Sequence, residues 1–400
     1  CMVGYGMMGV WPSEALRRTD AVLHTVVGRR AKAAKEFAER YGYGKWTLSL
    51  DEALADPEVD IVVLATPSDQ HEAQAVACLE AGKHTLIEIP IAMSLKGAER
   101  VVAAGEKSGK IYGLSHPMRF RKEREALIAR ARAGEETIRH IAGRFFIKRL
   151  VNIGATGYQR SWTDNILWHH FCHFVDLGLY LFDGAPIRRI QSCMGELHPV
   201  TGIPMECVVL VETEADQSLL VHGSYHAAYR FYDKLIVTDR DTYFYDILAG
   251  TLKTAEGTVP IESEQENAAR IVFDFLDAVR NDRPPLASGP SVLPAMRVLQ
   301  AVQDEWDARH GGPRAIPGRP LDCPERRRSL VEMLRNTFKQ AIKAGQVQIG
   351  LWSSLSSHLT VEVIAGSGFD WLLLDTEHSP NELPMVHSQL QACVGGTAHP

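Results

Sequence analysis

The sequence is poor in the features that mark several whole classes of protein. Its seven cysteines, at 1, 78, 172, 193, 207, 323 and 393, are odd in number and scattered, with no Cys-x-x-Cys pair. That pattern excludes a disulfide frame or a zinc ribbon and fits reduced thiols in a cytoplasmic protein. No apolar run approaches the ~18–20 residues a membrane span requires, so no membrane partner is expected. Basic residues number 43 against 49 acidic ones, a net charge of −6, and no basic patch carries interleaved aromatics. A nucleic-acid partner is excluded on that footprint. What remains is an ordinary composition, 45% hydrophobic and 23% charged over 400 residues, enough for two or three domains with ample core. Both ends read as cut: Cys1 falls inside a strand, and Ala398–His399–Pro400 interrupts another pattern.

The chain opens with Cys1–Met2–Val3, then Gly4–Tyr5–Gly6–Met7–Met8–Gly9, then a helical run through Leu16. Strand, G-x-G-x-x-G, helix is the dinucleotide-binding arrangement. Gly4 permits the tight turn, Gly6 lets a pyrophosphate reach the backbone, and Gly9 lets helix and strand pack closely. The helix N-terminus then offers free N–H groups to phosphate. A second strand over 21–27 and a second helix over 31–41 complete a βαβ unit. An NAD-specific site places an acid at the end of that second strand, to hold the ribose 2′-hydroxyl. The position reads Gly28–Arg29–Arg30, and two guanidiniums without an acid favour a 2′-phosphate, hence NADP over NAD.

Strands and helices keep alternating: strands over 58–66, 84–89 and 111–115, helices over 70–81 and 95–108. This predicts a doubly wound parallel sheet whose strand ends carry ligand contacts. Those ends read Ala65–Thr66–Pro67–Ser68, Glu88–Ile89–Pro90 and His116–Pro117–Met118–Arg119–Phe120. From about Thr137 the texture changes to β-rich runs at 138–148, 187–197, 206–214, 217–225, 233–238 and 242–245, one mainly antiparallel sheet. Helices over 265–281 and 292–309 follow.

Within the β-rich half, between the runs at 138–148 and 187–197, lies Arg160–Ser161–Trp162–Thr163–Asp164, running on to Trp168–His169–His170–Phe171–Cys172–His173–Phe174–Val175–Asp176. On an α-helix His169, His173 and Asp176 fall at i, i+4 and i+7, on one face. Two imidazoles and a carboxylate suit proton transfer or metal binding, and residue types alone leave both open.

Taken together, G-x-G-x-x-G, A-T-P-x-x-x-H (Ala65 to His71), E-x-P (Glu88 to Pro90) and H-x-x-R-F (His116 to Phe120) resemble the Gfo/Idh/MocA oxidoreductase family over roughly residues 1–310. The resemblance implies a Rossmann domain over 1–122 and an α+β domain over 123–310, with a mainly antiparallel open sheet. That sheet is expected to form the substrate wall and to build a homo-oligomer, dimer or tetramer. Thr66, Pro67, His71, Glu88, Ile89 and Pro90 become expected cofactor contacts, beside Gly4, Gly6, Met7, Met8, Gly9, Arg29 and Arg30. The family motif D-x-G-x-H-x-x-D aligns with His169, Phe171, His173 and Asp176. The family also reads E-K-P where this chain has Ile89, and an isoleucine can neither donate nor accept a proton. The lysine's role must pass elsewhere. His173 is the expected base, His169 its partner or alternate, Asp176 an orienting carboxylate, and no metal is required.

The substitution at Ile89, the R-S-W-T-D…W-H-H…H-x-V-D run and the Glu196–Leu197–His198–Pro199 turn resemble a subgroup acting on carboxylated semialdehydes from aromatic ring cleavage. Such substrates close to hemiacetals and are oxidised to lactones. Their carboxylates need cations, for which Arg119, Arg149 and Arg160 are candidates, with His116 and Trp162 lining the site. Sugar or inositol oxidation, and a silent dinucleotide-sensing regulator, are the alternatives.

Residues 311–329 read as a Pro/Gly linker, and 330–400 as a new alternating pattern. Gly350–Leu351–Trp352, Gly368–Phe369–Asp370–Trp371 and Asp375-x-Glu377–His378 resemble the class II pyruvate-type aldolases. A (β/α)8 barrel needs ~250 residues, so this would be an incomplete barrel fragment without aldolase activity.

Overall fold

The structure is a computed structural model that describes residues 1–153, 162–310, 344–353, 361, 367 and 370–374. The chain divides into two compact units, Cys1–Pro320 and Leu321–Pro400.

Short, mostly apolar runs, buried on both faces except at the edge strand Lys45–Thr47, make the first sheet. Its strands are β1 (Met2–Val3), β2 (Thr25–Val27), β3 (Lys45–Thr47), β4 (Ile61–Leu64), β5 (His84–Ile87) and β6 (Tyr112–Leu114). All pair in parallel in the order β3-β2-β1-β4-β5-β6. Continuous apolar strands of this kind need helices on both sides. Those helices are α1 (Met7–Leu16), α2 (Ala31–Tyr41), α3 (Leu50–Ala55), α4 (His71–Glu80) and α5 (Leu95–Ser108). Glycines stop α2 and α5 where expected: Gly42 and Gly109 take φ of 84° and 64°, and the Ser94 hydroxyl caps the start of α5. The strand order reverses between β1 and β4, the crevice where α/β sheets bind ligands.

After α6 (Glu125–Arg132) the chain builds a sheet of eight strands. They are β7 (Ile138–Lys148), β8 (Ile187–Met194), β9 (Glu206–Thr213), β10 (Ser218–Ser224), β11 (His226–Thr238), β12 (Thr242–Asp246), β13 (Thr251–Thr254) and β14 (Gly257–Pro260). The order is β14-β13-β12-β11-β7-β10-β9-β8, antiparallel throughout except for β10 beside β7. Three helices complete the unit: α7 (Cys172–Leu181), α8 (Glu264–Arg280) and α9 (Gly289–Arg309). The inner face of the sheet, with Ile141, Phe145, Val209, Val211, Leu219 and Val221, is buried. Two glycines set how closely α7 lies on that face. A Cβ on Gly143 would stand 2.2 Å from the Phe174 ring, and one on Gly178 2.6 Å from Leu219. The helix backbone is thereby pressed against the sheet, and the residues at its head are fixed in place.

Leu167–Phe171 is a π turn leading into α7, so the helix that carries the histidines is not α throughout. Within the second unit, β15 (Gly350–Ser353) and β16 (Trp371–Leu374) form a parallel pair. The expected linker, and Asp375, Glu377 and His378, lie outside the described residues. No described helix is long and apolar enough to cross a membrane.

Candidate active site

The glycine turn has the shape a dinucleotide needs. Gly4 sits at φ 105°, and a Cβ there would meet the Ala65 carbonyl oxygen at 2.3 Å; one on Gly9 would meet the Gly4 carbonyl oxygen at 2.6 Å. Around Gly6 the situation is opposite, because a Cβ would find nothing within 4 Å. Gly6 is also the N-cap of α1, without a side-chain cap; the Gly9 N–H donates to the Gly6 carbonyl at 2.9 Å, which leaves the first-turn N–H groups of Met7 and Met8 for a ligand. An open cradle over an uncapped helix start fits a pyrophosphate. Arg29 and Arg30 are both exposed at the end of β2. Arg30 donates from Nε to the Tyr5 hydroxyl at 3.2 Å, with its guanidinium 5.8 Å above the ring.

Two further loops complete the crevice. Thr66 bonds Gln74 at 2.6 Å, and Pro67 precedes a 3-10 turn from Ser68 to Gln70. His71 is buried, with Nε2 2.8 Å from the Thr66 carbonyl oxygen and Nδ1 2.8 Å from that of Pro90. It clamps the two loops together instead of facing a ligand. Burial lowers its pKa, against the contacts with the Pro90 and Thr66 carbonyls, which raise it. Glu88 also turns inward; burial pushes its carboxyl up to about 8, against opposing hydrogen bonds from Ser115 and the Ile89 backbone.

The histidine stretch departs from the helical expectation. Asn165 caps its start, accepting the Trp168 N–H at 3.2 Å. The π turn then carries extra residues per turn, rotating the head of the helix relative to α7. His169 faces Asp164, whose Oδ2 lies 3.0 Å from Nδ1, and His173 faces His116, ring centroids 5.9 Å apart. His173 is half-buried, with Nδ1 enclosed and without a hydrogen-bond partner. Burial, His116, His169 and Lys234 all push its pKa well down.

Asp176 is not the orienting carboxylate the spacing suggests. It is buried in a two-pronged pair with Arg119, Nε to Oδ2 at 2.8 Å and Nη2 to Oδ1 at 2.5 Å. Arg119 spends its remaining donors on the Leu286 carbonyl at 3.1 Å and on Ser291, side chain at 2.9 Å and carbonyl at 3.1 Å. None is left for a substrate carboxylate, so Arg119 is a tie between domains and not a clamp. His116 is enclosed beside this pair, Nδ1 3.3 Å from Asp176 Oδ2 without hydrogen-bond geometry. Burial holds its pKa down to about 4, with Arg119 adding to the effect and Asp176 opposing it.

Arg149 fits its expected role better. The guanidinium lies 5.0 Å from the Trp162 ring and 5.6 Å from the Tyr225 ring, and Nη2 donates to Asn152 at 2.8 Å. Trp162 is buried beneath it, packing at 5.8 Å on Tyr225. The Tyr225 hydroxyl is 2.7 Å from His170 Nδ1, and His170 stacks on Phe145 at 3.8 Å. Arg160 lies outside the described residues. Ser68, Asn152, Asp164, His170 and Tyr225 had no assigned role in the sequence. Asp164 stood within the stretch, but helical periodicity gives no role to a residue ahead of the helix.

Comparison with known proteins agrees with this geometry. Residues 1–116 match the model of the oxidoreductase family with an NAD-binding Rossmann fold (Gfo/Idh/MocA), and residues 124–249 that of the bacterial oxidoreductase C-terminal domain. The 4-carboxy-2-hydroxymuconate-6-semialdehyde dehydrogenase of Sphingobium sp. (strain NBRC 103272 / SYK-6) is 30% identical over 311 residues, 76% of this chain and 96% of that enzyme. A 4-hydroxy-2-oxo-heptane-1,7-dioate aldolase of Klebsiella pneumoniae is 58% identical over 59 residues, 15% of this chain and 22% of the aldolase. Among solved structures, GenD2 from gentamicin A biosynthesis, in complex with NAD, superposes with a TM-score of 0.65 at 24% identity, covering 78% of this chain and 93% of GenD2. Levoglucosan dehydrogenase, in complex with NADH and levoglucosan, has a TM-score of 0.64 at 16% identity over 75% of this chain and 95% of that one. With a glycine cradle, a matching second domain and a dehydrogenase relative along nearly its whole length, the chain belongs to the Gfo/Idh/MocA family of NAD(P)-dependent oxidoreductases.

Proposed function

We propose that the protein oxidises a carboxylated semialdehyde of the aromatic ring-cleavage type, in its cyclic hemiacetal form, to a lactone, with NADP preferred. The observation that carries this reading is Ile89 at the family's lysine position, in a chain whose α7 has a head rich in imidazole. A site without that lysine needs another proton acceptor, and a neutral imidazole suits the hydroxyl of a hemiacetal. The semialdehyde dehydrogenase relative supports the same substrate class.

A bound nicotinamide supplies the hydride acceptor. The protein's own groups do the rest. The Gly6 cradle and the start of α1 hold the pyrophosphate, and Arg29 and Arg30 favour a 2′-phosphate. Arg149, near the rings of both Trp162 and Tyr225, takes a substrate carboxylate. An imidazole at the head of α7 removes the hydroxyl proton. Assembly through the outer face of the second sheet belongs to the same reading, since Val208 and Phe231 are 40% and 45% exposed there.

Nicotinamide absorbance assays with 4-carboxy-2-hydroxymuconate-6-semialdehyde, inositol and sugars, each with NADP and NAD, test the proposal. Turnover of the semialdehyde with NADP is the expected result. Turnover confined to sugars would overturn it, and tight NADPH binding with no turnover at all would favour a dinucleotide-sensing regulator.

A further inference from the structure

We propose that His169 is the proton acceptor, that Asp164 is its positioning residue, and that Ser68, on the loop after β4, holds Asp164 in place. The inference rests on the reading of the site as one where hydride transfer is coupled to loss of a hydroxyl proton. It adds which imidazole accepts the proton and how the cofactor domain prepares it.

The geometry singles out one of three adjacent histidines. Ser68 Oγ donates to Asp164 Oδ2 at 2.5 Å, across 96 residues of sequence, and His169 Nδ1 lies 3.0 Å from the same oxygen. Asp164 is 5% exposed at its side chain, while His169 keeps 36%. Burial raises the carboxyl's pKa, but His169, Ser68 and Arg149 outweigh it, and Asp164 stays ionised. An ionised carboxylate only accepts, so both neighbours donate to it. His169 therefore carries its proton on Nδ1, and Nε2 is left with a lone pair. An imidazole oriented through one nitrogen by a buried carboxylate is a general base at the other.

His173 and His170 lack this arrangement. His173 has no carboxylate beside its enclosed Nδ1, because Arg119 holds Asp176. His170 is tied at Nδ1 to Tyr225 and covered by Phe145. The charged and titratable groups around His169 are Asp164 ahead of the helix, His170 (ring centroid at 4.4 Å) and His173 behind it. From the sheet side come Arg149 and Tyr225, which act on Asp164 and His170.

The step balances. The hemiacetal C–H bond breaks with its electron pair going to the nicotinamide, the hydroxyl proton passes to His169 Nε2, and the carbonyl forms. The imidazolium is stabilised by Asp164. Because Ser68 belongs to the loop that also carries Thr66 and Pro67, the cofactor loop and the base are one hydrogen-bonded unit.

Two measurements on the full chain test this. Nitrogen-15 spectra of histidine-labelled protein are expected to report His169 as the Nδ1–H tautomer; an Nε2–H tautomer would overturn the assignment without any assay. In the pH profile of kcat, Asp164→Asn is expected to lower kcat ~10²-fold or more, with NADPH affinity unchanged. It should also displace the acid limb, through loss of the neighbouring charge. Ser68→Ala is expected to give a smaller shift in the same direction. His169→Asn should abolish the limb and His173→Asn should keep it. A limb abolished by His173→Asn, or unmoved by Asp164→Asn, would overturn the proposal. If the wild type oxidises only sugars, the substrate reading fails while the same profile, run on the sugar hydroxyl, still decides the base.

Discussion

Glu88 and Lys234 are both enclosed ionisable groups, and burial shifts each towards its neutral form. Lys234 Nζ has no hydrogen-bond partner and lies 4.6 Å from the Tyr232 ring and 5.4 Å from that of Phe174. Burial, Arg121 and Arg124 push its pKa well down. For Glu88 the folded value is raised to about 8 from 4.5. A raised acid is protonated in the fold over a window where the unfolded chain has lost its proton. Its contribution to stability is therefore complete below pH 4.5 and is lost as pH rises through about 8. Glu88→Gln keeps the neutral shape and removes the titration. The variant should match the wild type near pH 4 and become the more stable of the two towards pH 8, diverging by about 1.4 kcal/mol per unit. Urea midpoints at the two ends check this, and parallel wild-type and variant curves would refute it. His116, which titrates with the opposite sign, is present in both proteins and cancels in the difference.

At the scale of elements, α7 is held by its charged tie as much as by its apolar face. Arg119 and Asp176 are 2% and 1% exposed, so neither charge has water to fall back on. Removing one partner of such a pair leaves the other uncompensated, at a cost of roughly 3–5 kcal/mol. Asp176→Asn is expected to lower the melting temperature strongly, while the fraction that remains folded keeps the acid limb of the wild type. A normal melting temperature with a lost limb would return Asp176 to the chemistry. The sequence misled here for a physical reason: a spacing of i, i+4 and i+7 states which residues share a helical face, not what faces them. The π turn at Leu167–Phe171 then broke the period itself. Elements with strong punctuation were legible; α2 and α5 begin and end as the sequence predicts, because Gly42, Ser94 and Gly109 mark them. Strand β11 was foreshortened, since a register shift between His226 and Phe231 hides its alternation. The short strands β3, β13 and β14 and the six-residue α3 went unread, because so few residues carry no countable period. Site residues followed the same rule. Glycines with a steric duty could be read in advance, whereas Ser68 and Asp164, 96 residues apart, meet only through the fold.

For the whole molecule, the question is which of the two units carries the activity. Gly6, Arg30, Ser68, Arg149, Asp164 and His169 all fall within Cys1–Pro320. The described strands of the second unit are one parallel pair, β15 beside β16. A parallel pair exposes both faces unless helices cover them, and a barrel closes only with eight such strands. The aldolase relative is matched over 22% of its length. A chain ended after Pro320 should therefore bind NADPH with the affinity of the full chain and keep the same kcat. The segment Leu321–Pro400 by itself should show no retro-aldol release of pyruvate from a 4-hydroxy-2-oxo acid with a divalent metal added. Cofactor titration by nicotinamide fluorescence, with a coupled pyruvate assay alongside, measures both. A truncated chain that folds but loses NADPH binding would mean the second unit supports the first. Pyruvate release from that segment would mean that these residues are active by themselves.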